Sequence, residues 1–231
     1  MKILSAPKLS EIQPCPYLDD RSSVQEFFFA FEMNSNELEV LINSGWRKFG
    51  AYIFRPSCLM CKECRPTRVL VKDFILNKKQ RRLIRKSEHI QIEESELEYR
   101  PEYFEIFKKH SMQRFNQTLK QIGDEESFQE TFFIKTSPSS VFTYFLDDRV
   151  IAWGIIDLGE NSVNSVYFAF DPDYSKLELG KLSILKEIEH TQKLGLDYYH
   201  LGYFIEGNSS MKYKASYTPN QFMNWGDGSW K

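Results

Sequence analysis

No uninterrupted apolar stretch in the sequence is long enough to span a bilayer, and the opening MKILSAPKLSEIQPC lacks the apolar run of a secretory signal. The expectation is a cytoplasmic chain that meets no membrane. An excess of charge of one sign is also missing. With a formal net charge of -2, the surface as a whole is not built to hold a polyanion, so any such site must be a local patch. Low-complexity tracts are absent, and 42% hydrophobic with 15% aromatic residues excludes a disordered chain. Its 231 residues suffice for one large domain or two small ones sharing an interface.

Cysteine is scarce, but its few copies are not scattered. Cys58, Cys61 and Cys64 form a C-x2-C-x2-C run bracketed by Arg55-Pro56 and Arg65-Pro66, and Cys15 in PCPYLDDR is the only other one. Three thiols at this spacing suit a knuckle whose sulfurs converge on a tetrahedral metal or an iron–sulfur cluster, with Cys15 as fourth ligand. Reduced, merely buried thiols are the competing reading. Disulfides are disfavoured, because residues three apart close poorly and nothing marks the chain as secreted.

Glu26 to Glu32, EFFFAFE, reads as a buried strand, after an irregular, proline-punctuated stretch from Met1 to Arg21. Asn34 with Glu37 makes a capping-box start for a helix through Leu38, Leu41 and Ile42, which Gly45 stops. Strands are expected at AYIF and from Thr67 to Phe74. Asn77 to Lys86, NKKQRRLIRK, puts six cations on one short helix with almost no acids to pair them, the composition of a phosphate-backbone contact rather than a solvated face. His89 to Glu96 reads as a polar strand, and a helix follows Pro101 with Tyr103, Phe104, Phe107 and His110 inward. His110 is expected as a core histidine. Gln117 to Thr131 is a helix or a loop broken at Gly-Asp.

From Ser140 onward the pattern is a hairpin about Asp147-Asp148, a strand from Asn161 to Phe170, a helix from Leu179 to Leu194 ended by Gly195, and a strand from Asp197 to Ile205. Hairpin, strand, helix, strand is the order of an acetyltransferase-type (GNAT-like) core. The expected fold is therefore α+β: a GNAT-like mixed sheet with helices in residues 96–231, and a cysteine-containing N-terminal subdomain in 1–95. A plain acyl-CoA enzyme would need a glycine-rich pyrophosphate cradle before the helix, and Tyr174 to Lys181 has only Gly180. A non-catalytic, metal-stapled RNA-binding module is the other rival.

Several motifs in a fixed order carry a resemblance. They are Cys15-Pro16-Tyr17-Leu18 with Arg21; Gly45-Trp46-Arg47-Lys48 with Gly50; the arginine- and proline-bracketed cysteine run to Arg68; and Gln80-Arg81-Arg82. Tyr167 to Pro172, Leu179-Gly180, Leu201 to Ile205 and Met211-Lys212-Tyr213-Lys214 complete them. The chain resembles the aminoacyl-tRNA–protein transferases of the N-degron pathway, above all the bacterial aspartate/glutamate leucyltransferases, relatives of arginyltransferase. It departs from the family at Lys48-Phe49, at Arg114-Phe115 and across Gly180 to Ser183, departures that bear on which amino acid is moved and which N-terminus is accepted.

The reaction this implies is attack of a protein's α-amine on the ester of an aminoacyl-tRNA, with leucine passing to N-terminal Asp or Glu, or arginine in the alternative. The ester is already activated, so positioning supplies much of the rate and no cofactor is required by the chemistry. Under the resemblance, Gln80, Arg81, Arg82, Arg47 and Arg55 are candidates for holding tRNA phosphates or reading the acceptor's carboxylate, an arginine offering the bidentate fork that lysine lacks. Lys212 and Lys214 are expected near a phosphate or carboxylate. Tyr167, Tyr203 and Tyr213 are the candidate cleft hydroxyls, and amides at Leu179 and Gly180 suit the terminal adenosine or the oxyanion. Cys15, Cys58, Cys61 and Cys64 would hold zinc or an iron–sulfur cluster. For the general base, only Asp171 and Glu206 offer themselves, and neither is assigned.

Overall fold

The computed structural model describes residues 1–231 as a mixed α+β protein with two principal sheets. The amino-terminal stretch is less irregular than its prolines imply. Two-residue strands β1 (Lys2–Ile3) and β2 (Lys8–Leu9) pair with β5 (Gln25–Phe31), while β3 (Gln13–Pro14) and β4 (Ser22–Ser23) pair with each other. Such short pieces carry no periodicity of their own and are ordered by the edge they join. Helix α1 (Ser35–Asn43) starts at the expected capping box, Asn34 accepting from Glu37 N and Glu37 returning to Asn34 N. Strands β6 (Arg47–Phe49) and β7 (Tyr52–Pro56) complete the small sheet, in which β5 pairs with β7 and β7 with β6.

The larger sheet has seven strands: β8 (Arg65–Leu70), β9 (Gln91–Glu96), β10 (Ser139–Leu146), β11 (Arg149–Leu158), β12 (Ser162–Phe170), β13 (Tyr198–Phe204) and β14 (Asn220–Phe222). Their spatial order is β14-β8-β13-β12-β11-β10-β9. The sheet draws β8 and β9 from before residue 97, so it crosses the expected division at 95/96. The β8 strand stops at Leu70, short of Phe74, because Val71–Asp73 turn into a 3-10 segment with the Val71 N–H donated to Asp197 O. Asp147 and Asp148 both take positive φ, 49° and 61°, which lets the two-residue turn match the twist of β10 and β11.

Helices α2 (Lys78–Lys86) and α6 (Leu179–Lys193) cover one face of this sheet, where Leu83, Leu182, Leu185 and Ile188 join a buried cluster with Val69, Ile156, Val163 and Tyr199. On the other face lie α3 (Pro101–Phe115), α4 (Leu119–Ile122) and α5 (Glu125–Phe132), packing Tyr103, Phe104, Phe128 and Phe132 on Trp153, Ile155 and Ala169. Gly123-Asp124 separates α4 from α5, the break expected within 117–131. No helix is long and apolar enough to cross a membrane.

The small sheet docks on the large one through a buried ion pair. Lys48 Nζ lies 3.0 Å from Asp157 Oδ1, with the two side chains 6% and 0% exposed. Asp157 also accepts from Ser139 Oγ at 2.7 Å. Removing one partner leaves a buried charge without compensation, at a cost of about 3–5 kcal/mol. Lys48→Met should therefore lower the urea-unfolding free energy by roughly that amount, and adding Asp157→Asn should recover part of the loss.

Candidate active site

Only one pair of neighbours in the large sheet is parallel, and it parts early. β12 and β13 are paired at Ser162–Tyr198, Val163–Tyr199 and Asn164–His200, after which β12 continues along β11 and β13 along β8. Beyond Asn164 the carbonyls of β12 lack a strand to pair with, and a buried unpaired carbonyl is costly. Arg47 fills this place from β6. Its Nη2 donates to Ser165 O at 2.6 Å and to Val166 O at 3.2 Å, and its Nη1 donates to Asn164 Oδ1 at 2.7 Å. Gly202 of β13 lies against the guanidinium. It has φ +79°, and a Cβ there would sit 3.1 Å from Arg47 Cζ.

Around this wedge the structure gathers three more of the expected residues. Tyr203 is buried and donates its hydroxyl to Gly45 O at 2.9 Å. Lys214 is 8% exposed and donates Nζ to Tyr203 O at 2.8 Å; burial, with the Arg47 charge adding to it, pulls its amine down to about 7. Tyr213 is 44% exposed, and the charges of Glu187, Arg114 and Arg47 reach it. Lys212, one position earlier, points to solvent.

Other candidates lie elsewhere or have their donors occupied. Tyr167 is on the α3 side, packed on Phe132 and Trp153 with its hydroxyl toward Ser111, and burial raises it to about 12. Arg55 binds Glu26 and stacks 4.4 Å over Trp46. Gln80 serves the capping box of α2, accepting from Asn77 N, and Arg81 donates to Leu76 O. Arg82, with Lys78, Lys79, Arg85 and Lys86, is exposed, and none of these five forms an ion pair within the chain. Helix α2 packs against α6, and Lys86 lies near Glu178 at the start of α6. Leu179 is buried there, Gly180 has open space where a Cβ would be, and α6 begins without a capping side chain.

The two carboxylates offered for the general base lie in different surroundings. Asp171 is bound by Lys109 and caps the following turn through Asp173 N, while Glu206 is exposed beyond the end of β13. The carboxylate that sequence reading missed is Glu187. It is 1% exposed on α6, accepts from Tyr199 Oη at 2.7 Å and has the Ser165 hydroxyl beside it. Burial pushes its carboxyl up to about 7, against the opposing pull of those hydroxyls and of Arg47. In KEIEHTQK it reads as one more charge on a solvated helix. Arg114 enters the sequence reading only as a departure, yet its guanidinium lies 5.5 Å over Phe170 and it too has no acid partner.

The four cysteines are free and line one cavity of about 70 Å³ with Tyr17, Leu18, Phe54, Tyr203 and Trp225. Cys15 sits in the β3–β4 hairpin, and the other three in the β7–β8 loop. Four thiols about a common space are a donor set suited to zinc or an iron–sulfur cluster. As the side chains stand, no three of them close to coordinating geometry.

If the wedge keeps the strands apart, filling the space beside it should unfold the site. Gly202→Ala adds both a left-handed backbone penalty and a clash with Arg47, and should cost about 2–3 kcal/mol in thermal or urea unfolding. Arg47→Lys, which cannot reach three acceptors with a planar fork, should show a loss of similar direction.

Comparison with known proteins bears on what this cleft does. Residues 13–82 match the family model described as "Arginine-tRNA-protein transferase, N terminus", and residues 102–224 match "Arginine-tRNA-protein transferase, C terminus". The chain is similar to the aspartate/glutamate leucyltransferase of Campylobacter jejuni, 33% identical over 90% of this chain and 89% of that one. It is similar as well to those of Leptospira interrogans, 30% identical over 92% and 84%, and of Pseudomonas fluorescens, 30% identical over 96% of both. Among solved structures, FemX superposes with a TM-score of 0.48 at 10% identity, covering 78% of this chain and 63% of FemX, a likeness too distant to inform the site. By both matches to the family models and the near full-length likeness to the curated leucyltransferases, the chain belongs to the arginine-tRNA-protein transferase family.

Proposed function

We propose that this protein transfers leucine from Leu-tRNA to the α-amine of proteins that begin with Asp or Glu, making an N-degron in the cytoplasm, where charged tRNAs are found. The observation that carries the reading is the likeness to aspartate/glutamate leucyltransferases over about nine-tenths of the chain and of its relatives. The split between β12 and β13, followed by α6, supports a GNAT-type core in which donor ester and acceptor amine meet where the strands part.

In this reading the exposed cations of α2 grip tRNA phosphates, and their approach to the start of α6 brings the acceptor end toward Leu179 and Gly180. The amides there serve the terminal adenosine or the oxyanion. Arg82 and Arg81 remain the proposed readers of the acceptor's carboxylate. Arg47 and Arg55 act instead through the architecture, since their donors are already engaged. Tyr203 and Lys214 brace the β13 side of the cleft, Tyr213 faces into it, and Tyr167 holds the opposite wall. The four cysteines hold zinc or an iron–sulfur cluster that ties the amino-terminal hairpin to the β7–β8 loop; their shared cavity supports this.

The test is a transfer assay with tRNA carrying labelled leucine or arginine and peptides differing only at residue one. Label should pass from Leu-tRNA to the Asp and Glu peptides, and not to Arg, Lys or Ala peptides. Neutralising Lys79 and Arg85 together should weaken tRNA binding several-fold and flatten its salt dependence. Label from Arg-tRNA instead would keep the chemistry and change the donor; no product from any pair, with tRNA still bound, would leave an RNA-binding module.

A further inference from the structure

Three carboxylates are buried in this molecule, and two of them are neutralised by cations. Asp157 pairs with Lys48, and Asp171 with Lys109. Glu187 has no ion-pair partner. The one cation whose charge acts on it, Arg47, spends its donors on Asn164, Ser165 and Val166. Burying an unpaired carboxylate is expensive, and a helix needing only an anchor to a sheet would be served by an apolar side chain. Glu187 sits where β12 and β13 part, with Tyr199 of β13 donating to it at 2.7 Å and Ser165 of β12 beside it. Tyr213, 44% exposed in the segment before β14, lies within reach of the Glu187 charge.

We propose that Glu187 is the proton acceptor for the α-amine in the transfer reaction, with Tyr213 carrying the proton between the cleft and the Glu187 carboxylate. This rests on the transferase reading above. An α-ammonium group is protonated at neutral pH, with a pKa near 8, and cannot attack until it loses a proton. It gives that proton through the Tyr213 hydroxyl to Glu187. The freed nitrogen lone pair forms the C–N bond at the ester carbonyl, and the tetrahedral intermediate collapses with cleavage of the carbonyl C–O(ribose) bond. Nitrogen sheds a second proton and the ribose oxygen takes one up. Of three protons, one stays on the amide, one ends on the ribose hydroxyl and one on Glu187, to be released to solvent.

The surroundings set the titration. Tyr199 of β13 touches Glu187, and Tyr144 of β10, Tyr213 and Tyr217 of the segment before β14, and Arg47 of β6 lie near enough to interact with its charge. Burial raises its carboxyl to about 7, and the Tyr199 hydrogen bond opposes the rise. A base poised near neutrality is matched to an amine titrating near 8.

The experiment is the pH profile of kcat/KM for Leu-tRNA and an Asp peptide, for wild type, Glu187→Gln, Tyr213→Phe and Tyr199→Phe. Glu187→Gln should fall on the order of 10²-fold at neutral pH, and the deficit should shrink as the solution itself deprotonates the amine near pH 9. Tyr213→Phe should reproduce that profile. Tyr199→Phe should move the acid limb to higher pH, because it loses a hydrogen bond that favours the charged carboxylate. Leu-tRNA binding should hold in all three. A loss uniform across pH, or an acid limb that survives Glu187→Gln and vanishes in Lys214→Met, would overturn the assignment. Wild-type turnover in the same assay tests the transferase reading separately. Carboxyl NMR of 13C-glutamate-labelled protein, which needs no turnover, should show one glutamate titrating near 7 that is missing in Glu187→Gln; its absence from wild type would equally overturn the proposal.

Discussion

A guanidinium group standing in for a β-strand holds this architecture together. Two parallel strands that part after three residue pairs leave carbonyls facing a gap, and such a gap closes, floods or is filled. Here Arg47 fills it, with two backbone carbonyls and one amide oxygen of β12 as acceptors and the Cα of Gly202 as its opposite wall. The requirement for glycine follows from both sides at once, since the backbone is left-handed at that residue and the guanidinium occupies the space a Cβ would take. Because Arg47 belongs to the small sheet, the split in the large sheet depends on how the small one docks, and the buried Lys48–Asp157 pair next to it fixes that docking.

Charge is ordered through the interior along the same line. Lys48, Asp157, Arg47 and Glu187 alternate in sign across the sheet, with Asn164 and Ser165 between them. The alternation explains how so many ionisable groups are tolerated at low exposure. Burial sets the acid–base behaviour beside it: burial, with the Arg47 charge adding to it, makes Lys214 lose its proton readily, and burial makes the unpaired Glu187 carboxyl keep its proton longer. The outside of the molecule works differently, with α2 carrying exposed cations that form no ion pair within this chain.

Local signals in the sequence were faithful. The capping box at Asn34 and Glu37, the charge run from Asn77 to Lys86, the Asp147-Asp148 turn, Gly195 and the inward residues of α3 all mark elements that form where expected, because each is decided by neighbours a few residues away. Long-range relations were not legible in the same way. Arg47 stands in a recognisable motif, yet its acceptors lie at Asn164 to Val166, and nothing local distinguishes a substrate-binding arginine from one that replaces a strand. Glu187 is invisible for the opposite reason, since it sits among Lys186, Glu189 and His190 and only the packing of α6 turns it inward. The strands of the first twenty residues need β5 to exist, and the sheet's use of β8 and β9 from the amino-terminal half is a topological choice that no period records.

The central claim is that the parting of β12 and β13 around Arg47 builds the place where ester and amine meet. The most direct test is a structure with 3′-leucylamino-3′-deoxyadenosine, an amide-linked mimic of the charged tRNA terminus. The account predicts its carbonyl in the opening beyond Asn164, with Tyr213 at the rim and the start of α6 against the adenosine. Binding on the α3–α5 face, or inside the cysteine-lined cavity with the opening left empty, would contradict it.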